Sequence, residues 1–161
     1  MDTGPKCISD ELVERHIMIA VDESDNAKRA VLFVGDFFGC YPSIRVTLLN
    51  IILEPASGFF EKDDDLDAWK KEKLEQAEQV LADYRRLLID SGFPEDMVEA
   101  RVEVMQGTSV ADCIIEEQEQ MKCCSVVIGR RGISKKEEFI FGSTSNKILH
   151  NAKNCAVMVI E

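Results

Sequence analysis

Five short apolar runs alternate with four longer amphipathic segments along most of this 161-residue chain. The runs are rich in Val and Ile, and most are apolar at both alternating positions, which is typical of strands covered on two faces. Arg101 and Glu103 make the third run an exception and predict a half-exposed edge strand. The predicted strands span 16–21, 44–52, 100–105, 125–128 and 155–160.

Helical periodicity fills the segments between the strands. The predicted helices cover about 25–40, 66–91, 109–122 and 143–152. The second has one apolar stripe, formed by residues that include Leu66, Trp69, Ala77, Val80, Leu81, Tyr84, Leu87 and Leu88. Gly92 and Pro94 predict the end of this helix, and Ser109 and Ser143 are candidate N-caps of the third and fourth helices.

The alternating βαβαβαβαβ order predicts an α/β fold, with a single open, doubly wound, five-stranded parallel sheet and helices on both faces. The length agrees with one domain over 16–161, preceded by a flexible N-terminal lead-in over 1–15. The expected strand order is 3-2-1-4-5, because covering both faces requires the winding to reverse once. Ligands of such sheets bind at the reversal, here between the carboxyl ends of strands 1 and 4, which read Val21-Asp22 and Ile128-Gly129.

Acidic residues outnumber basic ones, with 30 Asp and Glu against 19 Lys and Arg, for a net charge of −11. This charge opposes a bare polyanion, so nucleic acid is not an expected partner. The apolar runs are far shorter than the roughly 20 residues that span a bilayer, and no apolar segment follows a basic start. We therefore expect no membrane partner and a cytoplasmic location.

Six cysteines, at positions 7, 40, 113, 123, 124 and 155, show no CxxC spacing and no clustering with His. In a chain of this size they are expected to be reduced packing residues, in agreement with a cytoplasmic protein. Vicinal Cys123 and Cys124 are a candidate redox pair, but a disulfide between sequence neighbours is strained, and Cys123 is better explained as a small hydrophobe before a buried strand.

The connection over 53–65 is long for a loop between a strand and a helix, and it contains Phe59, Phe60 and the run Asp63-Asp64-Asp65. Its length allows a role as a lid or a contact surface. The acidic run is better explained as the start of a helix, where carboxylates complement the dipole, than as a metal site.

The stretch after strand 4 carries the strongest functional signal. It combines Gly129, Gly132 and Gly142 with the cations Arg130, Arg131, Lys135 and Lys136. Glycine permits a positive φ and a close approach of the backbone to a ligand, and Gly142 leads into a helix whose first amides, at Ser143, Thr144 and Ser145, have no intrahelical acceptor. Free amides, the helix dipole and concentrated positive charge together predict an anion site.

Each of these features also has an ordinary structural explanation, since glycines punctuate loops, serines cap helices and charged loops are usually solvated. Their conjunction at the expected reversal of the sheet favours a phosphate-bearing ligand. Across the crevice, Asp22 is a candidate acceptor for ribose hydroxyls. Its alternative role is to cap the first helix, which Ser24 or Asp25 can also do.

The common catalytic and nucleotide signatures are missing from the sequence, which contains no GxxxxGK(S/T), GxGxxG, GxSxG or HExxH. His16 begins a strand and His150 lies near the end of the last helix, and neither has a nucleophile beside it in sequence. Structural roles are expected for both.

The pattern Gly129-x2-Gly132-x9-Gly142-Ser143 resembles the G-2x-G-9x-G-(S/T) nucleotide loop of the ATP-binding members of the universal stress protein family. The surroundings are also similar to that family: a first strand ending in Asp22, a second strand with Leu48-Leu49-Asn50-Ile51, Gly107 before the third helix and a Cys-x-Val-x-Val-like last strand. The resemblance covers nearly all of 14–161.

This resemblance implies ATP in the crevice, with adenine against the backbone around Ile51, ribose near Asp22 and Gly129, and phosphates on Gly132, Gly142, Ser143 and Thr144. A divalent ion, Mg²⁺ or Mn²⁺, would be bound through the phosphates. The resemblance also implies a homodimer, often formed through the last strand, and 156–160 would otherwise be an exposed apolar edge. Two departures are the charged residues 135–138 between the glycines and Ala156 in place of a common proline.

Three functions follow from this reading of the sequence. The first is a dimeric ATP-binding stress-response or regulatory module with slow or no turnover, whose partner surface would include the 53–65 loop. The second is a slow ATP hydrolase or phosphotransfer enzyme, against which stands the missing general base. The third is an interaction protein of the same fold that binds no nucleotide.

Overall fold

A computed structural model describes residues 15–106, 109–130 and 142–161 of the chain. Within these residues, five strands and four α-helices alternate along the sequence. They are β1 (Arg15–Ala20), α1 (Asp25–Phe38), β2 (Ile44–Leu53), α2 (Asp63–Asp90), β3 (Val98–Met105), α3 (Val110–Met121), β4 (Ser125–Gly129), α4 (Ser143–Asn151) and β5 (Ala156–Ile160). A 3₁₀ turn at Glu95–Met97, which the sequence did not predict, connects α2 to β3.

The five strands form one parallel sheet in the order β3-β2-β1-β4-β5, as predicted. β1 lies in the middle, where Ile17 is in register with Val46 of β2 and with Ser125 of β4. Two apolar cores cover the faces of the sheet. α1 and α2 pack on one face through residues such as Val31 and Leu88, and α3 and α4 pack on the other. The α/β class, the strand order and the helices on both faces are therefore confirmed.

α1 and α3 begin as the sequence predicted, whereas α2 begins at Asp63, before the predicted start at about residue 66. The Ser24 hydroxyl accepts the Ala27 amide at the start of α1, and the Ser109 hydroxyl accepts the Asp112 amide at the start of α3. The acidic run 63–65 forms the first turn of α2, where its charge complements the helix dipole. The helix-start explanation of this run is therefore confirmed.

The predicted cap of α4 was wrong by one residue. Gly142 is the N-cap, and Ser143 is already the first helical residue. The helix starts earlier because the Gly142 carbonyl accepts the Asn146 amide at 3.0 Å. The hydroxyl at this helix start that contacts the backbone belongs to Ser145, within 3.0 Å of the Gly142 carbonyl oxygen.

The two edges of the sheet differ in character. On β3, Arg101 forms ion pairs with Glu99, Glu103 and the buried Glu117 of α3, so charged side chains occupy that edge. At the other edge, β5 is apolar and half-buried along most of its length. The sequence correctly predicted a half-exposed β3 and an apolar β5 edge.

The cysteines, the N-terminal segment and the lengths of the helices bear on the remaining predictions. Cys113 and Cys123 are buried as packing residues, but Cys40 is exposed, so the packing prediction was wrong there because Cys40 follows the end of α1. Arg15 belongs to β1, whereas residues 1–14 and Cys7 lie outside the described residues, and the flexible lead-in stays a prediction. No helix in the described part of the chain has the length and apolar character needed to cross a membrane.

Candidate functional site

A cavity of about 300 Å³ lies between the carboxyl ends of β1 and β4, where the winding of the sheet reverses. The predicted site residues that line it are Asp22, Ile51, Gly129, Arg130, Gly142, Ser143 and Thr144. The remaining predicted residue, Gly132, lies outside the described residues, as do Arg131, Lys135, Lys136 and Gly107. The fold therefore brings the described candidates to one place, although they come from β1, β2, β4 and the start of α4.

Asp22 follows β1 and lies on the wall of the cavity. Its Oδ1 accepts the Ser24 amide at 2.9 Å, which shapes the turn into α1, while Ser24 rather than Asp22 caps the helix. The sequence left open whether Asp22 or Ser24 caps α1, and in the structure Ser24 is the cap. The carboxylate nevertheless has a local structural role, because it orders the turn that precedes the cap.

Two side chains that the sequence analysis did not assign to the site hold the backbone at the end of β1. Asn50 Nδ2 of β2 donates to the Val21 carbonyl oxygen at 2.9 Å, and the Tyr84 hydroxyl of α2 donates to the Asp22 carbonyl oxygen at 3.0 Å. The sequence did carry a signal for Tyr84, because a phenol in a buried apolar stripe needs a hydrogen-bond acceptor.

Tyr84 is 7% exposed. Burial raises the pKa of Tyr84 to about 12, and the nearby carboxylates of Asp22, Asp25 and Glu23 add to the shift because they disfavour a phenolate. The hydroxyl therefore stays protonated at neutral pH and remains a donor to the Asp22 backbone.

Gly129 at the end of β4 packs against the first turn of α1. A Cβ atom at this position would lie 2.8 Å from the Asn26 carbonyl carbon and 3.0 Å from the Ala27 backbone nitrogen. These separations are shorter than a carbon side chain tolerates. Close packing between a helix and a strand is thus sufficient to explain this glycine, in addition to any approach of a ligand.

The start of α4 forms the opposite side of the cavity. Gly142 has φ −63° and ψ 158°, which any residue can adopt, so its backbone conformation does not require glycine. The Gly142 amide donates to the Arg130 carbonyl oxygen at 2.9 Å, which connects the two described ends of the glycine loop. The amides of Ser143, Thr144 and Ser145 have no bonded acceptor among the described residues, and no side chain caps them.

The positive charge of Arg130 is partly neutralised by a neighbour. Its guanidinium forms an ion pair with the Glu161 carboxylate, and its Nε is buried without a hydrogen-bond acceptor in the described part of the chain. The sequence predicted that this cation would help to bind an incoming anion. The ion pair reduces that contribution and leaves the amides of α4 as the described donors on this side.

The third wall comes from α3, with Val110 and Ile114 lining the cavity. The start of this helix is joined to α4 by Lys147, whose Nζ lies 2.7 Å from Asp112 Oδ2 and 3.2 Å from Ser109 Oγ. Sequence reasoning missed these wall residues. Val110 and Ile114 are four residues apart, which puts them on one face of α3, and this spacing could have indicated a shared apolar wall. The link to Lys147 depends on tertiary structure and has no such signal in the sequence.

A second cleft of about 230 Å³ adjoins the first and shares Asp22 and Ile51 with it. Trp69 and Lys73 of α2 line this cleft. Trp69 also lies beside Phe60, with ring centroids 6.2 Å apart, so the connection between β2 and α2 packs its aromatic residues next to the crevice. The predicted 53–65 connection is shorter in the structure and covers residues 54–62, because Leu53 ends β2 and Asp63 begins α2. Its role as a contact surface stays a prediction.

Comparison with known proteins identifies the family. The sequence model of the universal stress protein family matches residues 14–161. The chain belongs to this family. A comparison with curated proteins gave no significant match.

Solved structures of universal stress proteins have the same fold. The UspA protein from Lactobacillus plantarum is 18% identical with a TM-score of 0.76, and the match covers 92% of this chain and 98% of that one. The Archaeoglobus fulgidus protein in complex with dAMP is 21% identical, with a TM-score of 0.60 and coverage of 90% and 96%. The Arabidopsis thaliana family protein with AMP bound is 17% identical, with a TM-score of 0.63 and coverage of 90% of both chains.

Proposed function

We propose that this universal stress protein binds ATP in the crevice and acts as a nucleotide-dependent stress-response or regulatory module. The observation that carries the proposal is the opposition, across one cavity, of the Asp22 carboxylate and the amides at the start of α4 that have no acceptor among the described residues. A carboxylate can accept hydrogen bonds from ribose hydroxyls, and free amides at a helix start attract phosphates. The dAMP and AMP bound by two relatives support the same class of ligand.

The lining of the cavity fits the parts of such a nucleotide. Its volume of about 300 Å³ is at the lower end of the range for small-molecule sites, and apolar side chains provide a surface for a base. We assign adenine to the neighbourhood of Ile51 and ribose to that of Asp22 and Gly129. The phosphates are assigned to the glycine loop and the start of α4, namely Arg130, Gly132, Gly142, Ser143 and Thr144.

A divalent cation, Mg²⁺ or Mn²⁺, would neutralise phosphate charge. Such hard ions keep several waters and need few protein ligands when phosphates are present. Within residues 15–106, 109–130 and 142–161 there is no group of three or more His, Cys, Asp or Glu side chains placed to hold a metal. We therefore propose that the phosphates are the main ligands of the ion.

The proposed assembly is a homodimer formed through β5. This strand carries apolar residues over 156–160 and has an unpaired outer edge in the described chain. Long apolar edges tend to pair with another strand, whereas the charged residues of β3 protect the opposite edge. The contrast between the two edges supports β5 as the pairing surface.

Titration calorimetry of ATP with Mg²⁺ into nucleotide-free protein tests the proposal. We expect one site per chain. Asp22→Ala should weaken binding about tenfold, which corresponds to losing a hydrogen bond worth roughly 1.4 kcal/mol. Gly142→Val should also weaken binding, because a branched side chain would lie over the first amides of α4.

Two control variants separate the loss of a ligand contact from damage to the turn. Asp22→Asn keeps an oxygen that can accept the Ser24 amide but removes the charge, and Ser24→Ala removes the cap but keeps the carboxylate. ATP binding should largely survive Ser24→Ala. Unchanged affinity in both Asp22→Ala and Gly142→Val would refute the site.

Measuring phosphate release in the same samples distinguishes the module from an enzyme. We expect slow or no turnover, because the described lining of the cavity contains no His and its carboxylate, Asp22, is assigned to the ribose rather than to activating water. Sustained release of phosphate that Asp22→Ala abolishes would instead support the ATP hydrolase.

A further inference from the structure

Two cysteines lie beside each other at the starts of β4 and β5, at the end of the sheet opposite the crevice. The first registered pair of these strands is Ser125 and Ala156, and the Ala156 amide donates to the Cys124 carbonyl oxygen at 2.9 Å. Cys124 and Cys155 directly precede this pair. Neighbouring strands lie about 4.8 Å apart, which is inside the Cα separation of about 4.4–6.8 Å that a disulfide needs.

The surroundings of the two cysteines overlap at this end of the sheet. Val126 and Val157 belong to the core under α3 and α4, and Cys155 packs against that same core. Cys123, the sequence neighbour of Cys124, is buried in this core as well, and Cys124 itself directly precedes the first residue of β4. The Cys124 thiol donates to the His16 carbonyl oxygen of β1 at 3.3 Å, so it must leave this contact to reach Cys155 at the start of β5.

Cys124 and Cys155 are more exposed to solvent than the neighbouring Cys123. Cys124 and Cys155 are both thiols and both half-buried, so a small reagent can reach them. Cys123 is only 1% exposed. A bond between Cys123 and Cys124 would also need the strained geometry of sequence neighbours.

The surroundings of Cys123 and Cys155 disfavour thiolates, so these two cysteines should react slowly and at a rate that depends on pH. Burial raises the pKa of Cys155, and the neighbouring Cys124 adds to the shift. Burial raises the pKa of Cys123 to about 12, which makes it a poor nucleophile. Reaction of the Cys124–Cys155 pair should therefore speed up as the pH rises and more thiolate forms.

We propose that Cys124 and Cys155 are a redox modification site that forms a reversible intramolecular disulfide by exchange with a low-molecular-weight disulfide such as oxidised glutathione. One cysteine thiolate attacks a sulfur of the small disulfide, whose S–S bond breaks and releases one small thiolate. The second cysteine thiolate then attacks the mixed disulfide and releases the other. The protein loses two protons and two electrons, and the reagent is reduced to two small thiols.

The position of the bond gives it a structural consequence. It joins residues 31 apart in sequence and closes a loop that contains β4, the glycine loop and α4. A cross-link of this span restricts the unfolded chain, so the oxidised protein should melt about 5 to 10 °C higher than the reduced protein. The site is distinct from the proposed nucleotide crevice, and its test does not depend on nucleotide binding.

Peptide mapping by mass spectrometry tests the proposal on the full chain. The protein is incubated with oxidised glutathione, remaining thiols are alkylated under denaturing conditions, and trypsin releases the peptides 123–130 and 154–161. We expect a disulfide-linked pair of these peptides. It should form faster at higher pH and disappear after treatment with dithiothreitol, together with the rise in melting temperature.

Single-cysteine variants assign the bond. The linked pair should persist in Cys123→Ala, which keeps a small apolar side chain in the core, and should be lost in Cys124→Ser and Cys155→Ser. Circular dichroism checks that each variant is folded. Glutathione adducts without any linked pair, or a linked pair that persists in Cys124→Ser, would overturn the proposal.

Discussion

Replacing Gly129 by alanine tests whether close packing, and not only a ligand, requires the glycine at the end of β4. The added Cβ would lie 2.8 Å from the Asn26 carbonyl carbon, where ordinary contacts begin at about 3.4 Å. The neighbour is backbone in the first turn of α1, so the helix start must move. Overpacking of this kind costs about 1–3 kcal/mol. Because the clash is with backbone atoms that cannot rotate away, we take the upper part of this range, about 2–3 kcal/mol. The reduced entropy of the unfolded chain offsets about 0.4–1 kcal/mol of it, so we expect a net loss of stability of about 1–2.6 kcal/mol.

Urea unfolding followed by circular dichroism measures this loss, and ATP titration measures its effect on the crevice. Ser125→Ala is the matched control, because it places alanine at the other end of the same strand and removes a buried hydroxyl that has no hydrogen-bond partner in the described chain. The control should be at least as stable as the wild type. A Gly129→Ala protein within about 0.5 kcal/mol of the wild type would refute the packing argument, since that is the scatter of neutral substitutions.

Two further predictions follow from single contacts. Tyr84→Phe should lower the free energy of unfolding by about 1 kcal/mol at neutral pH, because it removes the hydrogen bond to the Asp22 carbonyl oxygen. Because the pKa of Tyr84 is raised to about 12, the wild type keeps this stability below pH 10 and loses it as the pH rises towards 12. The stabilities of the two proteins, measured by unfolding at increasing alkaline pH, should therefore converge. A constant difference between them would contradict the assignment. If the proposed β5 dimer forms in the wild type, Val159→Pro should convert it to monomers in sedimentation velocity, because alternate β5 amides bond to β4 and the Val159 amide faces outward. A dimer that survives this change would place the interface elsewhere.

Much of the fold followed from local pattern. Apolar runs of strand length and helical stripes set the order of elements, and the right-handed crossover rule converted that order into β3-β2-β1-β4-β5. The same rule placed Asp22 and the two described ends of the glycine loop, Gly129 and Gly142, at one crevice without any contact information. Element ends were less predictable. The start of α4 shifted to Gly142 because a backbone bond to Asn146 forms there, and periodicity does not report individual hydrogen bonds.

The sequence by itself thus determined the class of fold, the location of the crevice and the family resemblance, because hydrophobic period and glycine spacing are local properties of a chain. Tertiary structure decided which partner each polar group finds. Arg130 pairs with Glu161, Tyr84 reaches the Asp22 backbone across 62 residues, and the Ala156 amide bonds to the Cys124 carbonyl oxygen. Such pairings depend on the register and packing of elements far apart in sequence, where several acceptors or neighbours are equally compatible with the local pattern until the chain is folded.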